Sequence, residues 1–302
     1  MVPHIFKDEV LQAKFEKQGF AIVQFLLQDE IEFLNKKFDE LHPTVYSEGG
    51  FMSGSFSNDF NYKKTASDLI VSVFGKHFER LFTNYQTFGG AFLYKPPSKG
   101  SELGVHQDWT IVDEEKYVAL NCWVPLTDIN ETNGAIQVLP GSQYSGYKTF
   151  RAPTLPFFFE GSEQEVIDRT IPFYVKAGEA VILNQSVIHY SSPNRSGKLR
   201  KAITAGVKTK DAPMIFHYQT PEHKIERFEM PEDFLIRFSN FATSIFERPV
   251  SGRLISTANY PSPIIDKKEL IPLLDNLKSH AGISSPTSSF FAKVFSKLKE
   301  TV

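Results

Sequence analysis

The chain has one cysteine among 302 residues, with two tryptophans and four methionines. A lone thiol, Cys122, excludes an intramolecular disulfide framework and any metal cluster built on several thiolates, and it fits a reducing compartment. No run of about 18 apolar residues exists, so no membrane-spanning helix is expected. The opening stretch, Met1-Val2-Pro3-His4-Ile5-Phe6-Lys7-Asp8, lacks the basic start and apolar core of a signal peptide. A cytoplasmic location is the expectation. An excess of charge of either sign is lacking as well. The 33 Lys and Arg against 35 Asp and Glu leave a net charge of −2, which gives no footprint for nucleic acid. His-Glu-x-x-His, the phosphate-binding Gly-x-x-x-x-Gly-Lys-[Ser/Thr] loop and the Gly-x-Ser-x-Gly elbow are all missing, and the chemistries they carry go with them.

Phenylalanine is abundant, at 28 residues. Two readings stand, an aromatic core or an aromatic-walled pocket. The first 84 residues read as a helical flank. A helix over 8–18 is stopped by Gly19, a strand follows over 20–25, and an amphipathic helix runs from Gln28 to Leu41 with Ile31, Leu34, Phe38 and Leu41 at helical spacing. A longer helix is predicted over about 62–82. From residue 85 the period falls from 3.6 to 2. Short strands are predicted at 86–95, 103–109, 116–124, 134–139, 171–175, 179–184, 186–191, 200–208 and 213–219, separated by turn residues such as Pro96-Pro97, Asn133-Gly134 and Gly178. This pattern indicates an all-β barrel or sandwich. Residues 142–170 form an insertion. After 220 helical character is expected to return, over 231–246 and 267–278, with a last amphipathic piece at 290–298. No repeat and no linker divides the chain, so one domain is expected over 1–302, with its β core at 85–220 and a helical cap and tail at 221–302.

His106-Gln107-Asp108 is the first candidate for chemistry. On a strand, residues two apart point to the same side, so both side chains enter one cavity. His77-Phe78-Glu79 has the same spacing but lies in a helical pattern, where such residues diverge, and it reads as surface or packing. His189 lies in Val187-Ile188-His189-Tyr190-Ser191, and Ser191 faces the way His189 does. If the strands around the turn at 192–197 pair as a hairpin, position 189 lies opposite Arg200, or opposite Lys201 if the register slips by one. The alternation Arg200, Ala202, Thr204, Gly206 favours Arg200 inward, because small residues leave room for a ligand. Two histidines and a carboxylate on one face of a metal leave three open positions, as in non-haem Fe(II) oxygenases. An oxoacid cosubstrate would take two and dioxygen the third. Its far carboxylate then needs a buried cation, for which Arg200 is suited, with the Ser191 hydroxyl beside it. Gln107 and Trp109 flank the ligands and face either substrate or the other side of the strand. Phe157, Phe158 and Phe159 are either a lid over the site or core. Lys95, Lys99 and Arg151 are candidate cations for an anionic group.

Several blocks carry a resemblance. They are Phe15-Glu16-Lys17-Gln18-Gly19-Phe20, Lys95-Pro96-Pro97 followed by His106-Gln107-Asp108, the run from Thr132-Asn133-Gly134 to Pro140-Gly141-Ser142, and Lys176-Ala177-Gly178-Glu179 leading to His189, Ser191 and Arg200. Over residues 8–208 the chain resembles the phytanoyl-CoA dioxygenase (PhyH-like) branch of the Fe(II)/2-oxoglutarate dioxygenases. One position departs, with Gln143 where the family often has histidine. The resemblance implies a mainly β fold with flanking helices, a double-stranded β-helix of the jelly-roll or cupin-like kind. It implies Fe(II) on His106, Asp108 and His189, with 2-oxoglutarate on Arg200 and Ser191 and O2 as the oxidant. It implies that Trp123 packs on the cosubstrate, and Asn121, on the same strand face, would then reach the proximal carboxylate. An intact Asp108 favours hydroxylation over halogenation of a small-molecule substrate. The rivals are a barrel that has lost turnover and a cupin-like isomerase that uses neither oxygen nor oxoacid.

Overall fold

The computed structural model describes residues 4–42, 50–145, 150–238, 244–260 and 264–283. Three helices come first: α1 (Glu9–Gln18), α2 (Gln28–Leu41) and α3 (Phe60–Leu81), with strand β1 (Phe20–Gln24) between the first two. Asp8 caps α1 by accepting from Leu11 N, and Gly19 ends it in the left-handed region at φ 82°. Asp59 caps α3 in the same way through Tyr62 N.

The β core follows as β2 (Met52–Ser53), β3 (Tyr85–Lys95), β4 (Leu103–His106), β5 (Ala119–Pro125), β6 (Ile136–Val138), β7 (Ile171–Pro172), β8 (Glu179–Asn184), β9 (His189–Ser191) and β10 (Arg200–Thr209). A six-stranded sheet has the order β1-β8-β5-β10-β3-β2, and a four-stranded sheet the order β4-β9-β6-β7. All pairings are antiparallel. From β3 to β10 the chain passes back and forth between the two sheets, pausing only at the β6–β7 pair. That alternation is the double-stranded β-helix.

Side-chain alternation decides what each face of the large sheet does. Leu120, Cys122 and Val124 on β5 and Ile203, Ala205 and Val207 on β10 point to the helices, where they meet Phe15, Phe38, Phe74, Phe78 and Phe92 in the largest apolar cluster. Much of the phenylalanine is spent there, as in the T-shaped pair Phe25–Phe74 with centroids 4.8 Å apart. The opposite face carries Asn121, Trp123, Arg200, Thr204 and Gly206, all of which line a cavity. Gly206 is required by space, because a Cβ there would lie 2.0 Å from the Phe88 ring.

Three expectations are corrected. The region after 220 is not purely helical: β11 (Ile215–Gln219), β12 (Lys224–Glu229) and β13 (Arg253–Asn259) form a separate three-stranded sheet. A register shift between Arg227 and Phe228 buries Ile225 and Phe228, three residues apart, so the sequence imitates helical spacing. Next, β9 does not form a hairpin with β10. It pairs with β4 and β6 in the small sheet, while β10 pairs with β3 and β5 in the large one. Lastly, β4 stops at His106, and Asp108 lies in the loop beyond it.

Of the helix expected at 231–246, the structure has α5 (Phe234–Arg237), and residues 239–243 lie outside the described residues. A short α4 (Glu163–Ile167) lies in the insertion, and α6 (Lys267–His280) closes the described chain. The piece at 290–298 lies outside the described residues. No helix among the described residues is long and apolar enough to cross a membrane.

Candidate metal centre and its cavity

The two sheets enclose a cavity of about 490 Å³. Small-sheet strands bring His106 and His189 together as direct register partners, with ring centroids 4.1 Å apart. Each ring is oriented from behind. His106 Nδ1 is 2.7 Å from Gly104 O, and His189 Nδ1 is 3.1 Å from Val187 O. When Nδ1 donates to these carbonyls, Nε2 is left with its lone pair facing the cavity, the form that binds a metal. Both Nε2 atoms lie 3.9 Å from Asp108 Oδ1. The three residues offer ligand atoms within 4.8 Å of one another, the one such cluster among the described residues. Burial pushes the His106 pKa down to about 4, and the neighbouring His189 adds to the shift, so protons compete weakly with a metal for this ring.

Asp108 reaches the site by a different route from strand alternation. Arg151, returning from the insertion, donates from Nε to Asp108 O at 2.7 Å and pairs its other end with Glu114. Gln107, which also lines the cavity, donates to Ser186 O. On the carboxylate itself, Asn121 Nδ2 donates to Oδ2 at 3.2 Å, and Asn121 Oδ1 accepts from the Thr204 hydroxyl. Asn121 thus positions the Asp108 carboxylate, and the expectation that its amide serves an oxoacid has to share it with Asp108. Asn121→Ala is expected to weaken metal binding about 10- to 100-fold while the fold persists, as loss of groups behind metal ligands commonly does. Competitive Co(II) titration with circular dichroism on the same samples checks this.

Arg200 enters the same cavity from the opposite sheet. Its guanidinium is 2% exposed, and burial lowers its pKa to about 9. Nη2 makes a long contact of 3.5 Å to Gly134 O, while Nε and Nη1 have no partner. The Trp123 ring lies 5.5 Å from the guanidinium carbon. Ser191, two residues from His189, also lines the cavity. A buried guanidinium with two nitrogens unpaired calls for an anion, because an unmade hydrogen bond in a dry site is costly. A dicarboxylate reaching from Arg200 to the two-His-one-carboxylate triad fits this donor set.

Trp109 lines the cavity and packs edge-on to Phe216, 5.8 Å between centroids. Phe157, Phe158 and Phe159 do not line it. Phe158 and Phe159 are buried with Leu139, Ile188, Tyr190, Leu270 and Leu274. On β9 the inward residues are His189 and Ser191, so Ile188 and Tyr190 face outward, and the phenylalanines cover that outer face. The lid reading is corrected to core. Lys95 is fully buried and donates to Ser191 O (2.8 Å) and Ser192 O (2.7 Å), joining the two sheets, and Arg151 is held as described. Lys99 is exposed and away from the cavity. Lys63 and Gln185 line the cavity without having been candidates from the sequence, whereas Thr204 lines it as the alternation from Arg200 indicates. Lys63 had a signal, since it falls on the buried stripe of α3 with Ala66, Ile70 and Phe74.

Behind the Asp108 loop, His217 is 1% exposed and stacks on Phe150 at 4.3 Å. Burial, then the Arg227 and Arg151 guanidiniums, push its pKa down to about 3 from 6.5. Below pH 6.5 the unfolded chain takes up a proton that the native ring refuses, so stability falls as pH drops towards 3. The expected slope from this ring is about 1.4 kcal/mol per pH unit. Urea unfolding of wild type and His217→Phe from pH 7 to 4 checks it, and the variant should show the shallower loss.

Comparison with known proteins accords with these features. The family model "Phytanoyl-CoA dioxygenase (PhyH)" matches residues 15–202. A phytanoyl-CoA dioxygenase domain-containing protein 1 homolog from Dictyostelium discoideum is 29% identical over 154 residues, covering 48% of this chain and 52% of that protein. Phytanoyl-CoA dioxygenase from Arabidopsis thaliana is 23% identical over 272 residues, covering 74% of this chain and 94% of its own. Phytanoyl-CoA dioxygenase 1 from rice, Oryza sativa subsp. japonica, is matched over 42% of its length, so for two of these three relatives the match spans about half of the protein or less. Among solved structures, EctD from S. alaskensis with 2-oxoglutarate and 5-hydroxyectoine is similar at TM-score 0.49 and 19% identity, covering 68% of this chain and 78% of its own. The carbocyclase SnoK from nogalamycin biosynthesis has TM-score 0.48 and 16% identity, covering 68% and 86%. With the family model spanning more than half of its length, the chain belongs to the phytanoyl-CoA dioxygenase (PhyH) family.

Proposed function

We propose that the chain is an Fe(II)- and 2-oxoglutarate-dependent oxygenase that hydroxylates an unactivated C–H bond of a small molecule, with release of succinate and CO2. The observation that carries this reading is the unpaired, buried Arg200 guanidinium sharing one cavity with His106, Asp108 and His189. Iron and the oxoacid, once bound, would supply the oxidising power by coupling decarboxylation of the oxoacid to oxygen insertion into C–H. The chain's own residues do the rest. His106 and His189, through Nε2, and the Asp108 carboxylate would hold the metal. Arg200 and Ser191 hold the distal carboxylate of the oxoacid, with Trp123 against its path. Asn121 and Arg151 keep Asp108 from turning away. Phe51, Phe56, Phe88 and Trp109 keep water from the reacting carbon. An intact Asp108 leaves no ligand position for a halide and supports hydroxylation.

The test is anaerobic addition of Fe(II) and then 2-oxoglutarate, read as a weak visible charge-transfer band, followed by succinate release in air with a substrate panel. The band is expected in wild type and lost in His106→Ala. If wild type gives no band and binds Fe(II) no more tightly than His106→Ala, the oxygenase reading fails. A band without succinate release from any panel member favours the barrel that binds without turnover.

A further inference from the structure

Formal charge on the cavity wall belongs to three side chains, Asp108, Arg200 and Lys63, beside the two imidazoles. Asp108 sits with the metal ligands and Arg200 faces the oxoacid subsite. Lys63 has no task in either. It is 5% exposed, and burial pulls its pKa below the usual lysine range. Its ammonium donates to the carbonyl of Phe238, just past α5. Among the described residues no carboxylate pairs with it. An ammonium carries three N–H donors, so two remain for a ligand. The cavity wall also carries apolar Ala66, Phe88, Leu235, Ile236 and Ile245.

We infer that Lys63 anchors a single anionic group of the substrate, and that the substrate is a small, otherwise apolar monocarboxylic acid. The inference rests on the oxygenase reading above. Charge balance points the same way. A divalent metal, Asp108, Arg200 and Lys63 with two neutral imidazoles sum to plus three. A dianionic oxoacid reduces this to plus one, and a monoanionic substrate brings the closed site to neutrality. A buried charge is tolerated when it is paired and hydrogen-bonded; Lys63 has its hydrogen bond to Phe238 O, and an anionic ligand would add the charge partner. One lysine matches one carboxylate. A polyphosphate headgroup inside this cavity would bring charge that nothing on the wall meets.

Protein loaded with Mn(II), with and without 2-oxoglutarate, is titrated calorimetrically with linear and ω-phenyl alkanoic acids, each paired with its primary amide. At least one acid should bind wild type about tenfold or more tightly than its amide, ~1.4 kcal/mol. Lys63→Gln keeps a donor for Phe238 O and loses the charge. It should bring acid and amide to within about threefold of each other while leaving the amide unchanged. Lys63→Arg should retain the preference. If no acid is preferred to its amide in wild type, or if Lys63→Gln weakens acid and amide alike, Lys63 is a structural latch on Phe238 and the proposal is overturned. Failure of 2-oxoglutarate to bind overturns the oxygenase reading separately, because the acid preference is also measured with Mn(II) alone.

Discussion

His189→Ala is expected to abolish tight metal binding and to lower succinate release by about 10³-fold or more, ~4 kcal/mol of lost transition-state stabilisation. The size follows from position. His189 is 5% exposed, its Nδ1 is committed to Val187 O, and its Nε2 lies the same 3.9 Å from Asp108 Oδ1 as that of His106. Removing it leaves two ligands, one of them already held to Asn121 by its second oxygen. The fold should survive, because the strand keeps its pairing with β4 and β6 and only a ring facing the cavity is lost. Isothermal titration with Mn(II) measures the first effect and coupled succinate detection the second. Wild-type Mn(II) affinity in the variant would remove His189 from the metal site, and retained turnover would remove the site from the reaction.

How much of this was legible in the sequence depends on the range of the signal. Alternation along β5 and β10 is local, so Asn121 and Trp123, and likewise Arg200, Thr204 and Gly206, share a face that short-range periodicity can find. The helices α1 and α2 carry caps and an apolar stripe, and their limits were readable to a residue or two. What failed was pairing. His189 and Arg200 are brought together by a crossing between two sheets, and the turn at 192–197 looks like a hairpin because turn residues encode reversal without saying which sheet receives the next strand. Asp108 came out on the right side of the chain for a reason other than the one its spacing suggested. Arg151, 43 residues away, holds the loop. In Phe157-Phe158-Phe159, apolar composition alone does not distinguish the inner from the outer face of a small sheet. At β12 a bulge wrote a helical spacing into a strand.

Arg200→Met separates stability from function in opposite directions. In the protein without oxoacid, the guanidinium is a buried charge with two unpaired nitrogens, and methionine fills much of the same volume without them. Replacing buried ionic groups by well-packed apolar ones of similar volume is often neutral or stabilising, by about 1–4 kcal/mol where it stabilises, and here no ion pair is lost in the exchange. The variant is therefore expected to unfold at higher urea than wild type. The same change removes the charge-assisted partner of the distal carboxylate, and affinity for 2-oxoglutarate should fall by about 100-fold or more, ~2.7 kcal/mol. Metal affinity without oxoacid should stay within a few fold, since Arg200 touches none of the three ligands. Linkage supplies an internal control. Saturating 2-oxoglutarate with Mn(II) should raise the unfolding midpoint of wild type and leave the variant where it was, so the order of the two midpoints narrows or reverses when ligand is added. The charge state sets the pH range. Burial lowers the Arg200 pKa, yet a guanidinium stays charged across the working pH range, so the affinity gap between wild type and Arg200→Met should persist across it. A variant that is less stable than wild type and still binds 2-oxoglutarate would mean that Gly134 and the sheet crossing, not an anion, are what this arginine serves.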